Sequence, residues 1–165
     1  MKQSFAIILF FFLLAIFSCK RPQTYPIVPH ITFKNFIVKD TVDILDNNIK
    51  KGTLIFSFVD GDGDIGLQEG DTLPPYDSTY FYNLFLEGYY YENGIIHKDT
   101  SSVPLYFRIP YVEPQGQNKV LKGDIKVDII YNYPILHDSI YYKFYMVDRA
   151  LHKSNIETTS LIVLE

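Results

Sequence analysis

Apolar and polar residues alternate along much of the chain after residue 30. In residues 53–59 the apolar Leu54, Phe56 and Phe58 fall on every second position. Residues 121–129 repeat this pattern, with lysines and aspartates between the apolar positions. A period of two predicts a β-strand with one buried face, and no window of the chain shows a helical period. The pattern therefore predicts an all-β fold.

The same pattern predicts seven main strands, separated by turn-forming residues. They cover residues 31–38, 53–59, 80–91, 103–109, 120–131, 139–147 and 156–164. Asn93-Gly94 is a strong hairpin signal. This spacing favours a two-sheet sandwich of the immunoglobulin or fibronectin III type over a closed barrel. We expect its core to include Phe56, Phe58, Leu84, Leu86, Ile129, Phe144 and Met146.

The N-terminus has the pattern of a secretory signal peptide. Lys2 precedes an apolar run of 13 residues from Phe5 to Phe17. A membrane-spanning helix needs about 20 apolar residues, whereas this run ends at Ser18 and is soon followed by Lys20-Arg21. Residues 1–18 are therefore predicted to be a signal helix that is removed, rather than a membrane anchor.

The only cysteine, Cys19, stands at the end of this run. The segment Ile16-Phe17-Ser18-Cys19 resembles a bacterial lipobox. The resemblance implies cleavage before Cys19 and its acylation, palmitate being an expected chain, and two or three acyl chains would hold the protein at a membrane. We expect a lipoprotein of the cell envelope, at the outer membrane and facing the periplasm or the exterior. Residues 19–29 would form the lipidated end and a proline-containing linker, and residues 30–165 one domain.

An acidic, glycine-rich segment, Asp60-Gly61-Asp62-Gly63-Asp64-Ile65-Gly66, is the most unusual stretch of the sequence. Carboxylates at every second position, separated by glycines, can converge on one calcium ion. The pattern resembles the start of EF-hand loops, although Ile65 replaces the usual glycine. The predicted metal ligands are Asp60, Asp62, Asp64, Gly66 and Asp71. The alternative is a solvated turn whose carboxylates bond nearby amides, and the sequence leaves both open.

Resemblance to known domains extends to the C-terminus. Residues 141–150, followed by Ser154-Asn155, resemble the last hairpin of bacterial immunoglobulin-like domains. With the lipobox and the acidic segment, the whole chain resembles uncharacterised small lipoproteins of Bacteroidota. That resemblance implies the sandwich fold and supplies no activity.

Composition narrows the classes of function. The formal charge of -4 argues against a nucleic-acid partner, and a single cysteine excludes an internal disulfide. We find no nucleophile elbow, phosphate loop or dinucleotide fingerprint, so the prediction is a non-catalytic binding or structural module whose partner, a protein or a glycan, is unknown. The alternative is a surface glycan binder that uses the 14 tyrosines as stacking surfaces, although the chain has no tryptophan.

Overall fold

The computed structural model describes residues 24–100, 103–116 and 119–164. These residues form nine β-strands and one turn of 3-10 helix at Ser78–Phe81. The strands are β1 (His30–Val42), β2 (Asn48–Asp60), β3 (Leu84–Glu92), β4 (Ile95–Lys98), β5 (Leu105–Phe107), β6 (Leu121–Asn132), β7 (Ser139–Met146), β8 (Glu157–Thr158) and β9 (Ile162–Val163). The predicted signal helix lies outside the described residues.

The strands form two antiparallel sheets. One has the order β1-β2-β6, and the other has the order β4-β3-β7-β8. Strand β5 also pairs with β3, and β9 pairs with β7, so the second sheet has six strands. The predicted all-β, two-sheet fold is confirmed. Within the described part of the chain, no helix is both long and apolar enough to cross a membrane.

The core lies between the two sheets and is built from alternate strand positions. The rings of Phe56 on β2 and Phe144 on β7 approach to 5.2 Å between centroids, which joins one sheet to the other. The predicted core residues are all buried, namely Phe56, Phe58, Leu84, Leu86, Ile129, Phe144 and Met146. The period-two pattern therefore gave the correct inward face of these strands.

Several strand predictions were wrong in their bounds or their number; β1 and β2, for example, are longer than the predicted 31–38 and 53–59. Strand β3 begins at Leu84 rather than at residue 80, because Tyr80 and Phe81 lie in the 3-10 turn. Asn93 and Gly94 have φ angles of 52° and 78°, so they form the expected hairpin turn, but the strand that follows it, β4, was not predicted. The last predicted strand divides into β8 and β9.

The linker enters the domain beside the end of β2. The Gly61 amide donates a hydrogen bond to the Pro26 carbonyl, with an N···O distance of 2.9 Å. The segment after β7 reaches the same end, because the Arg149 amide bonds to the Asp64 carbonyl. The acidic segment therefore lies where the linker and both sheets meet.

Candidate metal centre

Asp60 occupies an inward-facing position at the end of β2. The buried positions of this strand include 54, 56 and 58, and Asp60 continues the series with an exposed fraction of 0%. Strand geometry sends alternate side chains to the same face whatever their chemistry. A carboxylate therefore lies at the edge of the apolar core.

The loop after Asp60 is fixed by hydrogen bonds to its carboxylates. The Asp60 Oδ2 atom accepts from the Asp64 amide at 2.9 Å, and the Asp64 Oδ2 atom accepts from the Ala150 amide at 3.0 Å. Gly63 has a φ of 71°, which glycine adopts readily. These contacts hold the acidic loop against the turn that follows β7.

Asp148 completes a cluster that the sequence analysis missed. It lies two residues after the end of β7 and is 1% exposed. Its carboxylate accepts from the His152 amide at 2.7 Å and lies 2.9 Å from His152 Nδ1. One carboxylate oxygen from each of Asp60, Asp64 and Asp148 lies within 4.8 Å of the other two. The signal that could have found Asp148 is the period of two along β7, because the series of inward-facing positions continues to position 148.

Several oxygens of this cluster have no partner. The Oδ1 atoms of Asp60, Asp62 and Asp64 are buried, and none has a hydrogen-bond partner among the described residues. Nor does any described lysine or arginine form an ion pair with these three aspartates. Buried polar atoms are nearly always hydrogen-bonded. Three unpartnered acceptors therefore lie together in one loop.

Burial and mutual repulsion raise the pKa values of the cluster. Burial raises the pKa of Asp60 to about 7, and the nearby Asp62 adds to this effect. Burial and the charge of Asp148 raise the pKa of Asp64. Burial also raises the pKa of Asp148, while its hydrogen bonds from His152 act in the opposite direction. Protonation of these carboxylates, or the binding of a cation, would reduce the repulsion among them.

Two of the predicted ligands have other contacts. Asp71 pairs with Arg149 at 2.6 Å (Nη1–Oδ2), and the same Asp71 oxygen accepts from the Gln68 amide at 2.8 Å. Gly66 has a φ of 89°, and a side chain there would collide with the Pro110 carbonyl, so this glycine permits close backbone packing. The structure therefore brings Asp60 and Asp64 together with Asp148, and it places Asp71 against Arg149. Cys19, the predicted lipidation site, lies outside the described residues.

Several tyrosine side chains lie on the outer face of the second sheet. Tyr89 stacks on Tyr141 with centroids 5.3 Å apart, and Lys143 Nζ lies 4.8 Å from the centre of the Tyr89 ring. Tyr145 stacks on Phe85 at 5.1 Å, and Lys153 Nζ lies 3.6 Å from the Tyr145 ring centre. A sugar that stacked on these rings would compete with the chain's own lysines and aromatic residues.

The chain has no match among protein-family models, curated proteins or solved structures.

Proposed function

We propose that this chain is a non-catalytic lipoprotein of the cell envelope, tethered through Cys19, that binds or supports a protein partner. One observation carries the proposal: the only cysteine ends a 13-residue apolar run and follows Ile16-Phe17-Ser18. Acylation of that thiol and of the new N-terminus would give two or three chains. Since each buried CH₂ contributes about 0.8 kcal/mol, such an anchor is stable.

The layout of the domain is compatible with a tether at one end and a partner at the other. Strand β2 runs from the linker end to the turn at residues 43–47, and its 13 residues span about 40 Å. At that far end Ile44 is 100% exposed and Leu136 is 68% exposed. The Tyr90 ring stacks on His137 at 3.7 Å, which brings the β3–β4 hairpin to the same end. Exposed apolar side chains at this end of the domain favour a protein contact there.

The strand order supports a fibronectin III-like form of the sandwich. Three strands, β1-β2-β6, face a sheet with the order β4-β3-β7-β8. If the strands are lettered along the chain, these sheets correspond to A-B-E and C′-C-F-G, with β5 as an addition. We infer that the domain is of this type, a sandwich architecture that many cell-surface domains share.

The glycan-binding alternative has less support. The rings of Tyr89 and Tyr145 each contact a lysine and another aromatic ring, so a sugar would have to displace an existing contact. We therefore favour a protein partner over a glycan.

The test is fractionation of cells that express Cys19→Ala or the unchanged chain. We expect the unchanged chain to require detergent for extraction and its N-terminal peptide to carry the mass of acyl chains. Cys19→Ala should be released without detergent, because it lacks the acylated thiol. The control is Ser18→Ala, which keeps a small residue before the cysteine and should stay with the membrane. A Cys19→Ala chain that is still processed and still needs detergent would contradict the proposal.

A further inference from the structure

We propose that Asp60, Asp64 and Asp148, assisted by Asp62, bind one calcium ion that joins the ends of β2 and β7. The inference goes beyond the proposed function, because a lipid-anchored module needs no metal. It also differs from the set of ligands that the sequence predicts, since Asp148 is included and both Gly66 and Asp71 are left out.

The spacing of the oxygens suits calcium. Calcium binds oxygens at about 2.3–2.6 Å, so two ligands on opposite sides of the ion are up to about 5 Å apart. The three carboxylate oxygens lie within 4.8 Å of one another, a separation within the range for ligands that share one calcium ion. Magnesium, with ligands at about 2.0–2.1 Å in strict octahedral geometry, would demand a tighter set.

The unpartnered oxygens are a second and independent observation. Asp60 is fully buried, yet its Oδ1 atom has no partner, and the Oδ1 atoms of Asp62 and Asp64 are in the same condition. Ionised carboxylates only accept hydrogen bonds, so they cannot satisfy one another. A calcium ion, with six to eight oxygen ligands, supplies the missing positive partner.

The guanidinium of Arg149 and the two backbone amides near the cluster already have other partners. The Arg149 guanidinium pairs with Asp71, and it also lies over the rings of Tyr76 and Tyr111. The amides of Asp64 and Ala150 are bonded to the other oxygens of Asp60 and Asp64. Protons are the competing occupants of these oxygens, so the calcium titration is done at about pH 8, where ordinary carboxyl groups, with a pKa of about 4, are ionised.

Bound calcium would connect the two sheets. Asp60 ends a strand of the three-stranded sheet, whereas Asp148 follows a strand of the six-stranded sheet. A ligand that binds only the folded chain stabilises it in proportion to the logarithm of its concentration. Calcium should therefore raise the melting temperature.

The experiment uses the full-length chain in detergent, stripped with chelator and titrated with calcium chloride at about pH 8. Calorimetry should show one calcium ion bound per chain, and circular dichroism should show a higher melting temperature in calcium than in chelator. Magnesium should bind at least roughly tenfold more weakly than calcium. The Cys19→Ala chain should bind calcium equally well, so that failure of the lipid anchor and failure of this site can be told apart.

Two variants and a matched control identify the ligands. Asp148→Asn should weaken calcium binding by roughly tenfold or more. In chelator, Asp60→Asn should have a higher melting temperature than the unchanged chain, because one of the repelling carboxylates is removed. Its melting temperature should not rise when calcium is added. Asp71→Asn is the control, and it should keep the calcium affinity although it loses the ion pair with Arg149.

Three results would overturn the proposal. The first is no heat of binding and no change in melting temperature up to about 10 mM calcium, well above the affinities of weak extracellular sites. The second is an Asp148→Asn chain that binds as well as the unchanged chain while Asp71→Asn does not bind. The third is equal binding of magnesium.

Discussion

Asp60 and Asp148 show how the position of a single residue on a strand decides its burial. Each continues the inward-facing series of a strand whose preceding inward residues are apolar. Burial of an ionised carboxylate is unfavourable unless it is paired or hydrogen-bonded. Asp148 obtains hydrogen bonds from His152, whereas one oxygen of Asp60 has no described partner. The difference leaves one buried oxygen of Asp60 available to the proposed calcium ion.

A buried tyrosine pair predicts sensitivity to alkali. The hydroxyl oxygens of Tyr131 and Tyr142 lie 3.0 Å apart, and burial raises the pKa of both, that of Tyr142 to about 12. Tyrosine in the unfolded chain ionises near pH 10. The contribution of Tyr142 to the free energy of unfolding is therefore fully present below pH 10 and is lost as the pH rises towards 12. The loss should be roughly 2–3 kcal/mol, measurable by urea unfolding at several pH values.

The double change Tyr131→Phe/Tyr142→Phe checks this prediction. Replacing both partners of a hydrogen bond by apolar groups of the same shape can be nearly neutral. We therefore expect little change at pH 7 and a smaller loss of stability between pH 10 and 12. The exposed Tyr80→Phe is the control and should behave like the unchanged chain. An alkaline loss that the double change leaves intact would show that other groups cause it.

At the level of the elements, a side chain closes one side of the sandwich. Asn155 Oδ1 accepts from the Ile31 amide at 2.8 Å, and Asn155 Nδ2 donates to the Ile31 carbonyl at 2.9 Å. The amide group of Asn155 thus pairs with β1 as a neighbouring strand would. Glu157 extends the contact by accepting from the Phe33 amide at 3.1 Å. The edge of β1 is therefore joined to the C-terminal segment.

Removal of this side chain should destabilise the domain. Asn155→Ala leaves both backbone groups of the buried Ile31 without their partner, at about 1–3 kcal/mol for each group. Urea unfolding at pH 7 measures the loss. Ser160→Ala, an exposed change in the same segment, should leave the free energy of unfolding almost unchanged. Equal stability of the two variants would show that water replaces the Asn155 amide at no cost.

At the scale of the whole molecule, the linker is part of the domain surface. The Gly61 amide bonds to Pro26, and a side chain at position 61 would collide with the carbonyl oxygens of Tyr25 and Pro26. The linker thus approaches the acidic loop through a contact that only glycine permits. In the proposed tethered protein, this contact would set the orientation of the domain on its anchor.

Gly61→Ala should release the linker. In a Cys19→Ala chain, Thr24→Cys provides a unique site for a nitroxide spin label, whose motion is read by electron paramagnetic resonance. We expect faster motion of the label in Gly61→Ala. Gly70→Ala is the matched control, since nothing lies within 4 Å of the added methyl group. Equal motion of the label in both variants would contradict a docked linker.

The sequence by itself determined the class of fold and the inward faces of its strands. The period of two is a local property, because neighbouring strand residues point to opposite faces in any sheet. It therefore identified the core residues from Phe56 to Met146, and the Asn93-Gly94 turn followed from the local preference for positive φ. The acidic loop was recognisable for the same reason, since Asp60, Asp62 and Asp64 are neighbours in the chain.

Only the tertiary structure decided which distant residues complete the centre. Asp148 meets Asp60 because β2 and β7 end at the same end of the two packed sheets, and no local pattern records that meeting. Asp71 fits a calcium loop by its spacing, but Arg149 lies close enough to pair with it. The lysines that cover Tyr89 and Tyr145 are likewise set by sheet packing. Local preferences determine where a side chain points, whereas long-range strand pairing determines what it meets.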